Sequence, residues 1–402
     1  MKTTLACLLL AAGAASSGAV DAGERVTLTA THELAIARPA EMIVLPWQQL
    51  LRALPGAQLQ QLEVRDAAGH VLPYQVTNVA DAAPGATDAG YADLLFQHDF
   101  AAGERSATFT VEKTDRVAPV FASKTFARYV PERYDDFVWE NDKLAHRAYG
   151  PALAAPDAAH SGKEVLVSSG IDVWCKRVAY PVIERWYNKR HYHHDDGEGM
   201  DMYQVGASRG TGGTGVWDGR RLDTSGNYSS WKILANGPIR TIFELRYAAW
   251  DAHGVQVAEV KRYTVDAGHN LDQVDDTYTF TGADHITVAI GINKNSADHD
   301  QAVRAEVARN AADGTLVQWE TERSNGALGE ALVLPAGFDG YAEDADNHLL
   351  LARASSGQAV HYLAGAGWTK GGDFASMADW SAYVRAEALR ARAPLTVTLS
   401  AP

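Results

Sequence analysis

The chain has 402 residues, 46% hydrophobic and 21% charged, with 35 Gly and 14 Pro, a composition that excludes a disordered or fibrous protein. That length predicts two or three folded units, or one large β-unit and a smaller one. The formal net charge of −14 sets the protein against phosphate backbones and anionic bilayers, so neither nucleic acid nor a membrane surface is an expected partner.

Lys2, the apolar run Leu5 to Ala15 and the small residues ending Val20-Asp21-Ala22 form the pattern of a secretory signal, so residues 1–22 are expected to be a cleaved signal peptide. The expected location is periplasmic or secreted, with no membrane association after cleavage. Cys7 falls inside that signal and leaves Cys175 as the one mature cysteine, so no intramolecular disulfide is expected.

From Glu24 to about Thr114, short alternating runs (Val26–Thr29, Leu62–Arg65, Leu94–Phe96, Ala107–Val111) are separated by turn formers such as Asp66-Ala67-Ala68-Gly69. They predict a small β-sandwich over residues 23–120. The Ala/Pro-rich Pro151–Gly162 reads as a surface loop. Further on, Thr241, Phe243, Leu245 and Tyr247 alternate with their neighbours. Turns follow at Asp251–Gly254 and Asp266–His269, with returning strands at Val255–Val265 and Leu271–Phe280. More strands are expected at 302–308, 316–322, 331–334, 349–352 and 359–363. One helix is expected, Ser376–Arg392, with Ser376 as N-cap, Asp379 in the first turn and Arg390 and Arg392 in the last. The prediction is an all-β protein with few helices, in which residues 121–402 form a large two-sheet β-sandwich comparable to that of galactose mutarotase.

The chemistry concentrates between residues 139 and 231. Trp139, Trp174, Trp186, Trp217 and Trp231 are interleaved there with polar and charged residues. Indole beside multidentate polar groups suits a pyranose, which offers a C–H face and a rim of hydroxyls; the competing expectation is that the tryptophans fill a core. His191, His193 and His194 with Asp195, Asp196, Glu198 and Asp201 offer either a divalent metal site or acid–base histidines, although their spacing matches no established metal signature. Gly210-Thr211-Gly212-Gly213-Thr214-Gly215 fits G-x-G-x-x-G but lacks the flanking strand and helix of a dinucleotide site, and a flexible loop near a ligand is the expected use of its glycines. Arg147, Lys176, Arg177 and Arg209 cluster in the same region of an acidic chain, where guanidinium groups grip carboxylates; salt bridges to Glu140, Asp142 and Asp172 are the alternative.

Trp139-Glu140-Asn141-Asp142 through His146-Arg147-Ala148-Tyr149-Gly150, Gly170–Arg177, Gly197-Glu198-Gly199-Met200-Asp201, Leu234–Arg240 and Gly367–Phe374 resemble the domain-of-unknown-function family DUF4861 over essentially the whole mature chain. The resemblance implies a role in bacterial polysaccharide utilisation, with an oligosaccharide dehydratase acting on uronic-acid-terminated fragments of ulvan among similar members. Such a reaction eliminates water, or a glycosyl group, across C4–C5 of a uronic acid. It needs a cation on the carboxylate, a base for the C5 proton and an acid for the departing oxygen. From chemistry, Arg147, Lys176, Arg177 or Arg209 is expected to hold the carboxylate of a uronic-acid-containing oligosaccharide. His146, His193 or His194 is expected as the base and Tyr149 or Tyr192 as the acid. Trp139, Trp174 and Trp217 are expected to stack sugar rings, with Glu140 and Asp172 also binding substrate. Three alternatives remain: a glycoside hydrolase using paired carboxylates, a non-catalytic sugar-binding protein, and an epimerase or mutarotase.

Overall fold

The computed structural model describes residues 24–78, 90–155, 165–189, 191–296 and 302–400. The expected signal peptide lies outside the described residues, as does most of the loop expected at 151–162, whose described part opens with a short helix, Pro151–Ala154. Antiparallel sheets dominate the chain, with four α-helices among the described residues. No described helix is long and apolar enough to cross a membrane.

The N-terminal strands form a small sandwich. One sheet has the order Thr396–Ser400, Arg25–Thr31, Ser106–Lys113, Leu62–Arg65; the other has Arg38–Pro46, Asp93–Phe100, Tyr74–Val76. Alternation sets their faces: Val26, Leu28 and Ala30 point inward to meet Val64, Phe96 and Phe109, while the intervening threonines stay partly exposed. The last strand departs from the boundary read in the sequence, because Thr27 to Thr31 pair with Ser400 to Thr396. The chain therefore returns to the small sandwich to cover an edge that would otherwise expose unpaired backbone groups.

The large sandwich has two layers. One is an eight-stranded sheet running from Tyr228–Asn236 at one edge to Ala302–Asn310 at the other. The facing layer is split into two five-stranded sheets, joined by a parallel bridge between Ile171 and Gly210. Trp139, Phe243, Tyr263, Val288, Ile290 and Tyr362 fill the space between layers, each worth roughly 1.5–3 kcal/mol of burial for a large apolar side chain. The hairpin Arg240–Ala252/Val255–Asp266 turns at His253 and Gly254, with φ of 54° and 88°, the paired positive φ that matches strand twist.

Gly210–Gly215 is not a flexible ligand loop. Its residues are buried and mostly belong to the strand Thr211–Trp217, where a Cβ on Gly212 would come within 2.5 Å of the Ala364 Cβ, so glycine here lets the layers approach. The C-terminal helix, Met377–Arg392, starts as expected: Ser376 Oγ accepts from the Asp379 N–H at 3.2 Å. Trp380, Val384 and Ala388 bury it against the eight-stranded sheet.

The sheet that builds the site has the strands Phe126–Val130, Asp136–Glu140, Leu144–Ala148, Ile171–Lys176 and Gly199–Met200. Its inner face carries Phe137, Trp139 and His146 toward the large core. Its outer face carries Val138, Ala145 and Trp174, capped by the helix Ile183–Lys189, whose Trp186 stacks on Trp174 at 5.7 Å.

Candidate active site

A cleft of about 920 Å³ opens over the outer face of this sheet. Arg133, Tyr134, Arg147, Tyr149, Tyr192, His193, Asp201 and Tyr203 contribute its polar lining. Strand register explains the centre, since Arg147 is paired with Val138 on one side and Asp172 on the other. Arg147 Nη2 lies 2.6 Å from Asp172 Oδ2 and 3.6 Å from Asp201 Oδ2. The guanidinium also sits over the Tyr149 and Trp174 rings, 5.2 and 5.5 Å from their centroids, which holds it by cation–π attraction. Arg147 Nε, Asp201 Oδ2, Asp136 Oδ2 and the Tyr187 hydroxyl are buried without a hydrogen-bond partner, a density of open valences more typical of a working site than of a sealed core.

The loop after the capping helix supplies the other groups. His193 Nδ1 lies 3.1 Å from the Asp201 backbone oxygen and 3.5 Å from Asp201 Oδ2. A carbonyl can only accept, so Nδ1 carries the hydrogen and Nε2 is left as the lone-pair nitrogen. The histidine side chain is 59% exposed. Tyr192 stacks on Trp174 at 5.1 Å, and its hydroxyl accepts from Arg147 Nη1 at 3.5 Å; Arg133 reaches the same phenol. Burial, reinforced by the Asp172 charge, pushes the Asp201 carboxyl well above the carboxylate range despite Arg147. The same two causes raise the Tyr149 phenol, which stays protonated. Burial lifts Asp136 to about 6 against the pull of Arg147 and Arg133.

Of the residues singled out in the sequence, the cleft gathers Arg147, Tyr149, Tyr192 and His193, with Asp172 directly behind Arg147. Others sit elsewhere, for identifiable reasons. His146 follows the strand's alternation onto the inner face, stacked on Trp139 at 5.3 Å, and burial drives its pKa down to about 4. It cannot meet a ligand in the cleft. Trp139 and Trp174 are core residues, 1% and 0% exposed, whose N–H groups donate to Asp272 at 2.7 Å and Asp172 at 3.0 Å. Trp217 ends its strand opposite Leu222, outside the cleft. Lys176 is buried on Glu140 at 2.7 Å, and Glu140 also accepts the Val182 and Ile183 N–H groups. That pair anchors the start of the capping helix, outside the cleft.

Arg177 pairs with Asp195 at 2.9 Å. Arg209 is enclosed in the core on Ser169 Oγ at 2.9 Å, with burial lowering its pKa to about 10. His194 is exposed, its N–H donating to the His191 carbonyl at 3.3 Å. The divalent metal considered for the His191–Asp201 loop has no ligand set: among the described residues no three His, Cys, Asp or Glu converge. The loop carboxylates are spent on cations instead. Burial alone would raise Glu198, but hydrogen bonds from Lys189, Tyr180 and Arg185 outweigh it and hold the carboxyl at about 2.

Arg133, Tyr134 and Tyr203 are lining residues that the sequence reading missed. The available signal was topological: pairing Phe126–Val130 with Asp136–Glu140 as a hairpin puts its turn, Pro131–Asp135, at the end of the sheet where Arg147 and Tyr149 emerge. A second cavity, of about 360 Å³, lies between the small sandwich and the C-terminal helix. Its arginines are matched within the wall, Arg38 to Glu41 at 2.8 Å, Arg240 to Asp266 at 2.6 Å and Arg390 to Glu41 at 2.7 Å, so it reads as a seam between units.

A relative in Formosa agariphila, called "Uncharacterized protein P7", is 33% identical over 326 residues, covering 77% of this chain and 79% of its own. Among solved structures, an alpha-mannosidase from Enterococcus faecalis V583 superposes with a TM-score of 0.44 at 8% identity over 94% of this chain, and a glycosyl hydrolase family 38 protein from Enterococcus faecalis with 0.48 at 9% over 96%. The chain spans about half the length of those two structures, 46% and 49%. The family model described as "Domain of unknown function (DUF4861)" matches residues 30–397, nearly the whole chain, and the protein belongs to that family.

Proposed function

We propose that this protein is a carbohydrate-active carbon–oxygen lyase that dehydrates a terminal uronic acid of an oligosaccharide, working after export to the periplasm or the exterior. The observation that carries this reading is the convergence of a carboxylate-free arginine, a histidine with a free Nε2 and a cation-backed phenol in one cleft. Arg133 forms no ion pair among the described residues, so its charge is available to a ligand carboxylate, whereas Arg147 is committed to Asp172 and Asp201. Pairing the substrate carboxylate with Arg133 acidifies the C5–H bond.

His193 Nε2 takes the C5 proton, the electron pair forms the C4=C5 bond, and the C4–O bond breaks. Tyr192 gives its proton to the departing hydroxyl, which leaves as water. The resulting phenolate is stabilised by Arg147 and Arg133 and is reprotonated when the His193 proton is returned through solvent, which completes the cycle.

The hydrolase alternative needs two working carboxylates. Among the described residues, those lining the cleft are Glu132, paired with Arg128 at 2.5 Å, and Asp201, which is 1% exposed and engaged by Arg147 and His193, so elimination suits the site better. Incubation with a panel of uronic-acid oligosaccharides distinguishes the readings. Dehydration yields an ultraviolet-absorbing product lighter by one water. A product with no absorbance and a mass gain of one water would establish hydrolysis and overturn the proposal.

A further inference from the structure

We propose that Tyr134 is a substrate-contacting residue of the cleft, retained at a backbone position that asks for glycine because its ring is needed there; this rests on the reading of the cleft given above. The turn between Phe126–Val130 and Asp136–Glu140 runs through a single 3-10 turn, Pro131–Arg133, and then through two successive left-handed residues, Tyr134 at φ 54°, ψ 40° and Asp135 at φ 63°. Only Ala40, Tyr134, Asp135 and His253 adopt positive φ without being glycine among the described residues. Aspartate and histidine are enriched in that region, and His253 sits in a two-residue hairpin turn. A bulky aromatic ring has no such excuse.

Two tyrosine hydroxyls also hold the turn from below. The Tyr129 hydroxyl donates to the Asp135 carboxylate and the Tyr228 hydroxyl donates to the Asp135 carbonyl. The peptide rests directly on Gly150, where a Cβ would lie 1.9 Å from the Asp135 oxygen and 2.4 Å from that of Tyr134. Glycine or asparagine at position 134 would satisfy this backbone with less strain. What tyrosine adds lies on the open side: its half-buried ring lines the cleft, and the Arg133 guanidinium stands 5.3 Å from the ring centroid. Tyr134 therefore steadies the carboxylate-binding arginine and presents an aromatic face to the pyranose that carries the carboxylate.

The test compares the wild type with Tyr134→Gly, Tyr134→Asn and Tyr134→Phe by steady-state kinetics on a uronic-acid oligosaccharide and by thermal melting. Tyr134→Gly is expected to raise KM about tenfold while kcat falls less, and its melting temperature reports the balance between relieved backbone strain and lost ring contacts. Tyr134→Asn, which the turn accommodates, should show the same kinetic loss, and Tyr134→Phe should retain most of the activity. Unchanged KM and kcat in both the glycine and asparagine variants, whatever their melting temperatures, would overturn the inference and leave the dehydratase reading standing. A wild-type protein inert toward every uronate oligosaccharide would overturn both.

Discussion

Two buried cations, Lys261 and Arg147, each lie between two acidic side chains, and their surroundings differ in one respect. Lys261 is 0% exposed, bonded to Asp276 at 2.6 Å and to Glu259, with Thr214 and Tyr278 joining the network. The group lies outside the cleft and outside the seam cavity. Both groups keep unpartnered atoms, Asp276 Oδ1 in the first and Arg147 Nε and Asp201 Oδ2 in the second, but Arg147, with Asp172 and Asp201, opens on a cleft. The first arrangement ties the facing layers together; the second puts its open valences within reach of a visitor. Charge density in the sequence is the same signal for both, and only access separates a structural triad from a candidate site.

The contrast can be broken experimentally. His193→Ala should lower turnover by about 10²- to 10⁴-fold, the usual worth of a general base, with chemical-denaturation stability within about 0.5 kcal/mol because the ring is largely exposed. Turnover at wild-type rate would remove His193 from the chemistry. Lys261→Met should do the reverse, costing about 3–5 kcal/mol of stability by leaving Glu259 and Asp276 uncompensated, measured by urea unfolding; a cost below about 1 kcal/mol would deny the triad its structural role.

His146→Ala sharpens the comparison between the two faces of one strand. Loss of the ring stacked on Trp139 should cost about 1–3 kcal/mol, while activity per folded molecule stays within about twofold, since the residue next to Arg147 faces the core. A loss of turnover as large as that of His193→Ala would contradict the placement. The last test is the pH dependence of stability. Burial raises Glu330, on which Tyr203 and Thr211 donate, to about 8. The folded chain then keeps a proton that the unfolded chain releases near pH 4.5, so this group's stabilisation declines as pH rises from about 4.5 to about 8. Glu330→Gln cannot titrate, and its melting temperature relative to wild type should climb across that interval; parallel curves would show that Glu330 is ionised throughout.

The strands and the capped C-terminal helix were legible because their faces differ. Val255–Asp266 alternates buried and half-exposed positions, and Ser376 provides an N-cap. The site sheet was harder to read. Leu144–Ala148 is buried at every position, so no alternation distinguishes His146 from Arg147, and a strand covered on both sides carries no such mark. The tryptophans misled for a related reason: a two-layer sandwich needs large apolar volume, and Trp139 and Trp174 satisfy their N–H groups on internal aspartates, which from sequence looks the same as indole beside sugar-binding carboxylates. Arg133 and Tyr134 escaped because a hairpin turn, not a motif, brings them over Arg147. Arg147, Tyr149, Tyr192 and His193 were singled out by residue type, as the side chains that the proposed elimination would need, and one cleft brings them together.

The central claim is that Arg133 neutralises a substrate carboxylate while His193 removes the neighbouring proton. It is tested most directly by measuring Arg133→Ala and wild type on one oligosaccharide in two forms, the free uronic acid and its methyl ester, in which the charge is already masked. The account predicts that the variant loses about 10²- to 10³-fold on the free acid but stays within about threefold of wild type on the ester. Equal losses on both forms would show that Arg133 does not act on the carboxylate, and would contradict it.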